Sequence, residues 1–345
     1  MDGQSAPGPH TCNPLVRGRP TVDFPAFRPR WPWIGGDLQT LRNTLSYQIP
    51  DFSRFPPERL TLPMSDGSGD HLLALLNRPT ADIGRPAVVL VHGLTGSENS
   101  RNIMTSAAYH LRAGHPVVRL NLRGAGPSRG RCRGHYHAGR SADIRDALAA
   151  LPGELQDRGL LIVGVSLGGN AVLKFLGENT AIGNVLAGAA VCAPIDLRMA
   201  QLRIAAPRNV VYQRHLLQAM RADARAFGGS NIEAVLARVR TVYDFDDLIV
   251  APNNGFDGAE DYYRRSSAGP LLDAISVPTL LIHPRTDPWV PARMYLERSW
   301  KPDGAVTLLM PPDGGHVGFH AADDTAPWHD RCISSFFAQV PAGRK

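Results

Sequence analysis

The chain has 345 residues, 43% of them hydrophobic, and a formal net charge of +6. Length and composition suit one large globular α/β domain with an insertion, or two domains, and argue against a disordered or fibrous chain. The longest weakly polar run, Asn184 to Ile195, is too short to span a bilayer, no basic-then-apolar leader opens the chain, and Cys12, Cys132, Cys192 and Cys332 form no C-x-x-C pair, so the expectation is a cytoplasmic protein without transmembrane segment, signal peptide, disulfide or zinc site.

Residues 1 to about 25 are rich in Pro and Gly without periodicity and read as a mobile arm. With the aromatic, Pro- and Gly-containing stretch Phe27–Tyr47 they make an N-terminal segment, 1–50, expected to wrap the core. From Glu58 the elements alternate. Leu60–Leu62 and Leu72–Leu76 flank Asp66-Gly67-Ser68-Gly69-Asp70, a hairpin signal. Ala87–Val91 reads as a buried strand, Asn102–Arg112 as a helix, Val117–Leu122 as a strand and Ser141–Leu151 as a helix. The strand Leu160–Val163 runs into Gly164-Val165-Ser166-Leu167-Gly168 and then a helix, and Val185–Cys192 is a further strand. After Pro194 the alternation stops. Leu216, Leu217, Met220, Ala224 and Phe227 fall at helical spacing, as do Val235, Leu236 and Val239 after the capping-box sequence Ser230-Asn231-Ile232-Glu233. The alternation resumes with strand Thr279–His283, helix Ala292–Ser299, strand Val306–Met310 and helix Trp328–Gln339. The pattern predicts a mostly parallel sheet flanked by helices. Residues 51–193 and 263–345 form the expected core and 194–262 a helical cap.

A serine on a tight strand-to-helix turn, with glycine two positions to either side, is a nucleophile elbow. Gly126-Pro127-Ser128-Arg129-Gly130 matches the same pattern but has no strand before it and no apolar helix after it, so Ser166 is the candidate nucleophile. Functional groups in such sheets collect beyond the carboxyl ends of strands. There the chain offers Asp287 after Thr279–His283 and His316 after Val306–Met310, in the order Ser, Asp, His. A serine hydroxyl needs a neighbouring base to attack a carbonyl. His316 would take and return the proton, and Asp287 would hold the imidazole in the right tautomer. Asp246 and Asp247 are the rival acids and His320 the rival base. Two backbone N–H groups should hold the oxyanion: Leu167, just after the nucleophile, and Leu94 in His92-Gly93-Leu94-Thr95-Gly96. Gly93 permits close approach at the substrate, and Leu217 and Met220 are expected to line the pocket under the cap. His135-Tyr136-His137 lacks a third metal ligand and reads as loop packing. Serine chemistry needs neither metal nor cofactor. The arginines gather in Arg119–Arg140 and Arg198–Arg240, read as solvated basic surface. No aromatic-interleaved basic motif points to nucleic acid.

Five segments together resemble the YheT-like family of the α/β-hydrolase superfamily: Gly36–Leu41, His92–Ser97, Tyr136–Gly139, Gly164–Lys174 and Gly314–Phe319. Phe245-Asp246-Asp247 and Ala259–Tyr263 also fit. The resemblance implies a serine esterase acting on carboxylic esters, with small-molecule or lipid-like substrates, some relatives acting on medium-chain acyl esters or phospholipids. Position 37 is Asp where many members are expected to carry His. Transfer of the acyl group to an alcohol, or a silent binding module, are the competing readings, and a homo-oligomer stays open.

Overall fold

The computed structural model describes residues 15–17, 22–178, 184–229 and 231–340. Cys12 and the capping residue Ser230 lie outside them. Nine strands form one sheet in the order β1-β9-β8-β7-β6-β4-β5-β3-β2. They are β1 (Leu15–Arg17), β2 (Pro57–Pro63), β3 (His71–Asn77), β4 (Ala87–Val91), β5 (Val117–Leu120), β6 (Leu160–Val165), β7 (Val185–Val191), β8 (Thr279–Ile282) and β9 (Val306–Met310). Strands β5, β4, β6, β7, β8 and β9 run parallel. The hairpin β2–β3 adds an antiparallel edge, and β1 pairs antiparallel with β9 at the other. The central strand β4, Ala87-Val88-Val89-Leu90-Val91, is a continuous apolar run buried at every residue, because helices cover both faces.

One face is packed by α3 (Ser141–Ala149), α4 (Gly153–Asp157) and α5 (Leu167–Glu178), through Ile144, Leu155, Leu173 and Phe175. The other is packed by α2 (Arg101–Arg112) and α13 (Trp328–Phe337), through Ile103, Leu111, Trp328 and Ile333. An N-terminal helix, α1 (Gly36–Leu45), lies outside these layers. Between β7 and β8 come α6 (Leu197–Ala205), α7 (Val210–Phe227), α8 (Ile232–Arg238), α9 (Val242–Phe245), a π turn (Asp246–Val250), α10 (Ala251–Asn253) and α11 (Ala259–Ser266). Leu216, Met220, Leu236, Val239 and Phe245 form an apolar cluster of their own there. The helix expected over Ala292–Ser299 is only α12, Arg293–Leu296.

Two expectations are corrected. Leu15–Arg17, inside the stretch read as a mobile arm, is an edge strand on β9. The first arginine group is solvated surface only in part: Arg131 and Arg133 are exposed, but Arg119 and Arg123 are buried. Arg123 is 3% exposed and bonds Asp66, Asp70 and Asp143, while Arg119 is buried over the Phe52 ring and bonded to Asn77. Buried guanidinium groups persist only when paired, and the paired acids come from distant parts of the chain.

Candidate active site

Ser166 is the hinge between β6 and α5, with φ at +53°. That left-handed conformation costs a non-glycine residue about 1–3 kcal/mol and is retained only where the surroundings enforce it. The flanking glycines are steric requirements. A Cβ on Gly164 would lie 2.4 Å from the Gly168 carbonyl oxygen, and one on Gly168 would lie 2.3 Å from that of His92. Below the hinge, Asn170 Nδ2 donates to the carbonyls of Ala138 and Ser266, and its Oδ1 accepts from Ala268 N, so the start of α5 is pinned to two other segments.

His316 is presented by a tight turn after β9. Gly315 N donates to Gly318 O at 2.7 Å, Gly318 N donates back to Gly315 O, and Val317 between them has φ +53°. This brings His316 Nε2 to 2.8 Å from Ser166 Oγ and Nδ1 to 2.9 Å from Asp287 Oδ2. The other carboxylate oxygen of Asp287 accepts the N–H groups of Trp289 (2.8 Å) and Val290 (3.0 Å). Burial alone would push the Asp287 carboxyl up. The adjacent His316, the hydrogen bond to it and these backbone donors outweigh burial and hold the group below the usual carboxylate range. The Trp289 ring stacks on the His316 imidazole, centroids 4.5 Å apart and 24° from parallel.

The second loop over the nucleophile follows β4. A Cβ on Gly93 would come within 3.0 Å of Ser166 Cβ, so the backbone approaches the serine as only glycine allows. His92 is fully buried. Its Nδ1 is 2.8 Å from Gly93 O and its Nε2 accepts from Leu122 N, which assigns the proton to Nδ1. Burial pushes its pKa down to about 4, so it stays neutral and fixes the loop's shape. Leu167 opens α5, so its N–H has no helical acceptor. Leu94, expected to supply the other donor, sits in the loop against Ser166 and lines the same cavity.

The rivals have other tasks. Ser128 is buried, accepting from Leu73 N and donating to Asn121 O. His320 Nδ1 is 2.6 Å from Arg42 Nη1, away from the serine. Asp247 accepts from Ala259 N at the start of α11, and Asp246 accepts from the Tyr263 hydroxyl. His135 packs on Phe227, and the His137 ring lies edge-on to Phe256 and Tyr262, so both pack as expected while also lining the cavity. Among the described residues, Cys192, Asp287 and His316 alone bring three metal-ligating side chains close together. His316 Nδ1 is already engaged by Asp287, and Cys192 Sγ accepts from Val317 N, so this group is a hydrogen-bonded support behind the histidine rather than an open metal site. Cys192, read from the sequence as a small buried hydrophobe, therefore has a polar contact as well.

One support went unread in the sequence. Helix α1 grips the loops that carry His316 and Asp287. Thr40 Oγ1 accepts from His316 N at 2.8 Å, a Cβ on Gly318 would lie 2.2 Å from Gln39 O, and a Cβ on Gly36 would lie 1.8 Å from Thr286 O. The segment Gly36–Leu41 carried part of the family resemblance, which was the available signal.

Ser166 and His316 open into a cavity of about 760 Å³ lined in large part by the helices between β7 and β8. Gly93 and Met220 line it, together with Leu216, Ala224, Phe227 and Ile249. Leu217 does not. It is turned about 100° around α7 from Leu216 and is buried in the helical cluster instead. No helix among the described residues is long and apolar enough to cross a membrane.

A family model described as the alpha/beta hydrolase family matches residues 88–328. A candidate esterase of Escherichia coli (strain K12), YheT, is 34% identical over 77% of this chain and 79% of its own length. The medium-chain fatty acid ethyl ester synthase/esterase 2 of Saccharomyces cerevisiae is 26% identical over 75% of this chain and 63% of its own length, so the chain spans less than two thirds of that relative. Among solved structures, the Pyrococcus furiosus esterase Pf2001 superposes with a TM-score of 0.56 at 15% identity, covering 86% of this chain and 99% of that one, a likeness of fold.

Proposed function

We propose, from the premise that this chain belongs to the α/β-hydrolase family and to its YheT-like branch, that it is a serine carboxylesterase for short- to medium-chain acyl esters. Esterase and lipase relatives support ester hydrolysis in general. The observation that carries the finer reading is the relay Ser166 Oγ–His316 Nε2–Asp287, at 2.8 and 2.9 Å, opening into the cavity.

Ser166 Oγ attacks the ester carbonyl carbon as His316 Nε2 takes the hydroxyl proton. The carbonyl oxygen, now an oxyanion, is held by the N–H groups of Leu94 and Leu167. Collapse expels the alcohol, which leaves with the proton from His316. Water, activated by the same imidazole, then attacks the acyl-enzyme and returns Ser166. Asp287 fixes the imidazole tautomer and stabilises its cation. No metal or cofactor takes part in these steps. Residues 51–193 and 263–345 act as the catalytic core and 194–262 as a cap that roofs the acyl site.

The yeast relative's printed name includes a synthase activity, which favours one second reading: an alcohol in place of water as acyl acceptor. A silent binding module would need no aligned relay. A fluorophosphonate probe tests the assignment. It should label the wild type at Ser166 and leave Ser166→Ala unlabelled, and labelling elsewhere, or none, would remove the reading.

A further inference from the structure

Asp246 is a buried carboxyl that the acyl transfer does not use. It is 8% exposed and forms part of the wall of the cavity that Ser166 opens into. It is the first residue of the five-residue π turn that continues α9. Such turns are rare and recur at functional sites. Its Oδ2 accepts from the Tyr263 hydroxyl at 2.6 Å. Among the described residues no other side chain bonds the group and no cation pairs with it. Burial pushes its pKa up to about 7, an effect the Tyr263 bond only partly offsets. Its neighbour Asp247 caps α11, so the two adjacent acids divide a structural task from a free acceptor.

The packing indicates which part of a substrate meets this acceptor. Tyr262 and Tyr263 cluster with Ala138 and Leu197, and Leu167, the residue after the nucleophile, packs against that cluster. His316 is walled instead by Trp289, with Tyr212 set against Trp289. His316 protonates the leaving alcohol, so the alcohol departs along the Trp289 wall and the acyl chain extends past Leu167 toward the tyrosine pair. The other acid in the wall, Asp223, is taken by Arg129. The wall also carries Arg101, which opposes a cationic ligand, while burial keeps His135 and His137 toward their neutral forms, so a neutral hydrogen-bond donor fits there better than a cation.

We propose that Asp246, oriented by Tyr263, binds a hydroxyl carried on the acyl chain, so that esters of hydroxylated medium-chain acids are the preferred substrates. The proposal rests on the esterase reading. Its test compares kcat/KM for 4-nitrophenyl decanoate with the same ester carrying one hydroxyl walked along the acyl chain. At one hydroxyl position the rate should exceed that of the plain ester about tenfold, the worth of one well-placed hydrogen bond. Asp246→Leu should bring that ratio to near one, whatever it does to the common rate. Tyr263→Phe should reduce the ratio independently, should the first variant fold poorly. A ratio near one at every position in the wild type overturns the proposal. So does a preference that survives both substitutions, or an Asp246-dependent preference for a hydroxyl on the alcohol or for a trimethylammonium group on the acyl chain. Fluorophosphonate labelling is read in the same samples. Without labelling both readings fall, whereas labelling and turnover with a flat ratio remove this one alone.

Discussion

The loops that carry Ser166, His316 and Asp287 are fixed by backbone and glycine contacts, whereas the helices between β7 and β8 are fixed by side-chain burial. Ser166, His316 and Asp287 sit on loops where added Cβ atoms at Gly164, Gly168, Gly315 or Gly318 would strike backbone within 2.2–2.4 Å. The roof is held by its apolar cluster and by a few contacts with the core. Asn209 Nδ2 donates to Pro288 O, beside the acid, while Arg129–Asp223 and Arg208–Asp37 are partly exposed ion pairs. Exposed pairs of that kind contribute about 0–1 kcal/mol each. Proton transfer demands placement to a few tenths of an ångström, which steric contact supplies. Chain selectivity demands only a boundary, which interchangeable apolar side chains supply.

The sharpest contrast is between the two serines in glycine-flanked pentapeptides. Ser166→Ala should lower kcat by about 10⁶ with the fold intact, since a triad acts as a unit. Ser128→Ala should cost about 1–3 kcal/mol of stability by stranding Leu73 N, with little change in kcat. Steady-state kinetics and thermal melts of both variants decide it, and a dead Ser128→Ala would dissolve the assignment.

The acids give the next contrast. Asp287→Asn should reduce turnover by about 10⁴, because the amide favours the wrong imidazole tautomer. Asp247→Asn keeps a side-chain oxygen that can accept from Ala259 N, so kcat and Tm should both stay close to wild type. A reversed ranking would move the acid out of the loop after β8 and into the roof.

Thr40 tests whether α1 is part of the catalytic frame. Thr40→Ala removes the acceptor for His316 N and should lower kcat about tenfold with KM little changed. Thr40→Ser should restore it. A uniform loss of stability with kcat intact would make α1 a mere cover.

The parts of this site that the sequence exposed are those tied to order along the chain. Ser166, Asp287 and His316 each follow an apolar strand, and His92-Gly93 follows another, so strand ends, the glycine-flanked serine and the order Ser, Asp, His singled them out as candidates. The supports were hidden because they act through groups that periodicity does not mark. Helix α1 buries Gly36 and Gln39, while Leu38, Leu41 and Leu45, the residues with helical apolar spacing, are exposed. A rule that apolar faces pack inward would orient α1 backwards. Arg123 misled in the same way. Its charge reads as surface until Asp66, Asp70 and Asp143, distant in sequence, are brought around it. Leu217 failed for a simpler reason: a helical stripe is wider than one wall, and periodicity cannot say which edge of it faces a cavity.

That last distinction yields the smallest and most discriminating effect. Met220 lines the cavity and Leu217, three residues earlier on the same helix, does not. Both are buried in the same cluster. Each methylene that a pocket buries contributes about 0.8 kcal/mol, about fourfold in kcat/KM. In a finite cavity this gain stops when the chain fills it, so kcat/KM should climb from acetyl esters, peak at medium length and fall toward palmitoyl. Met220→Ala removes side-chain volume from the wall and should move the peak to a longer chain by about two carbons. Leu217→Ala removes volume behind the wall. It should lower stability by about 2–5 kcal/mol, the cost of a core cavity, and leave the peak where it was. If both variants shift the peak equally, the roof responds as one soft body and the boundary is not set by the residues that touch it. If neither shifts it, chain length is read elsewhere and the helices between β7 and β8 shield the site without measuring what enters.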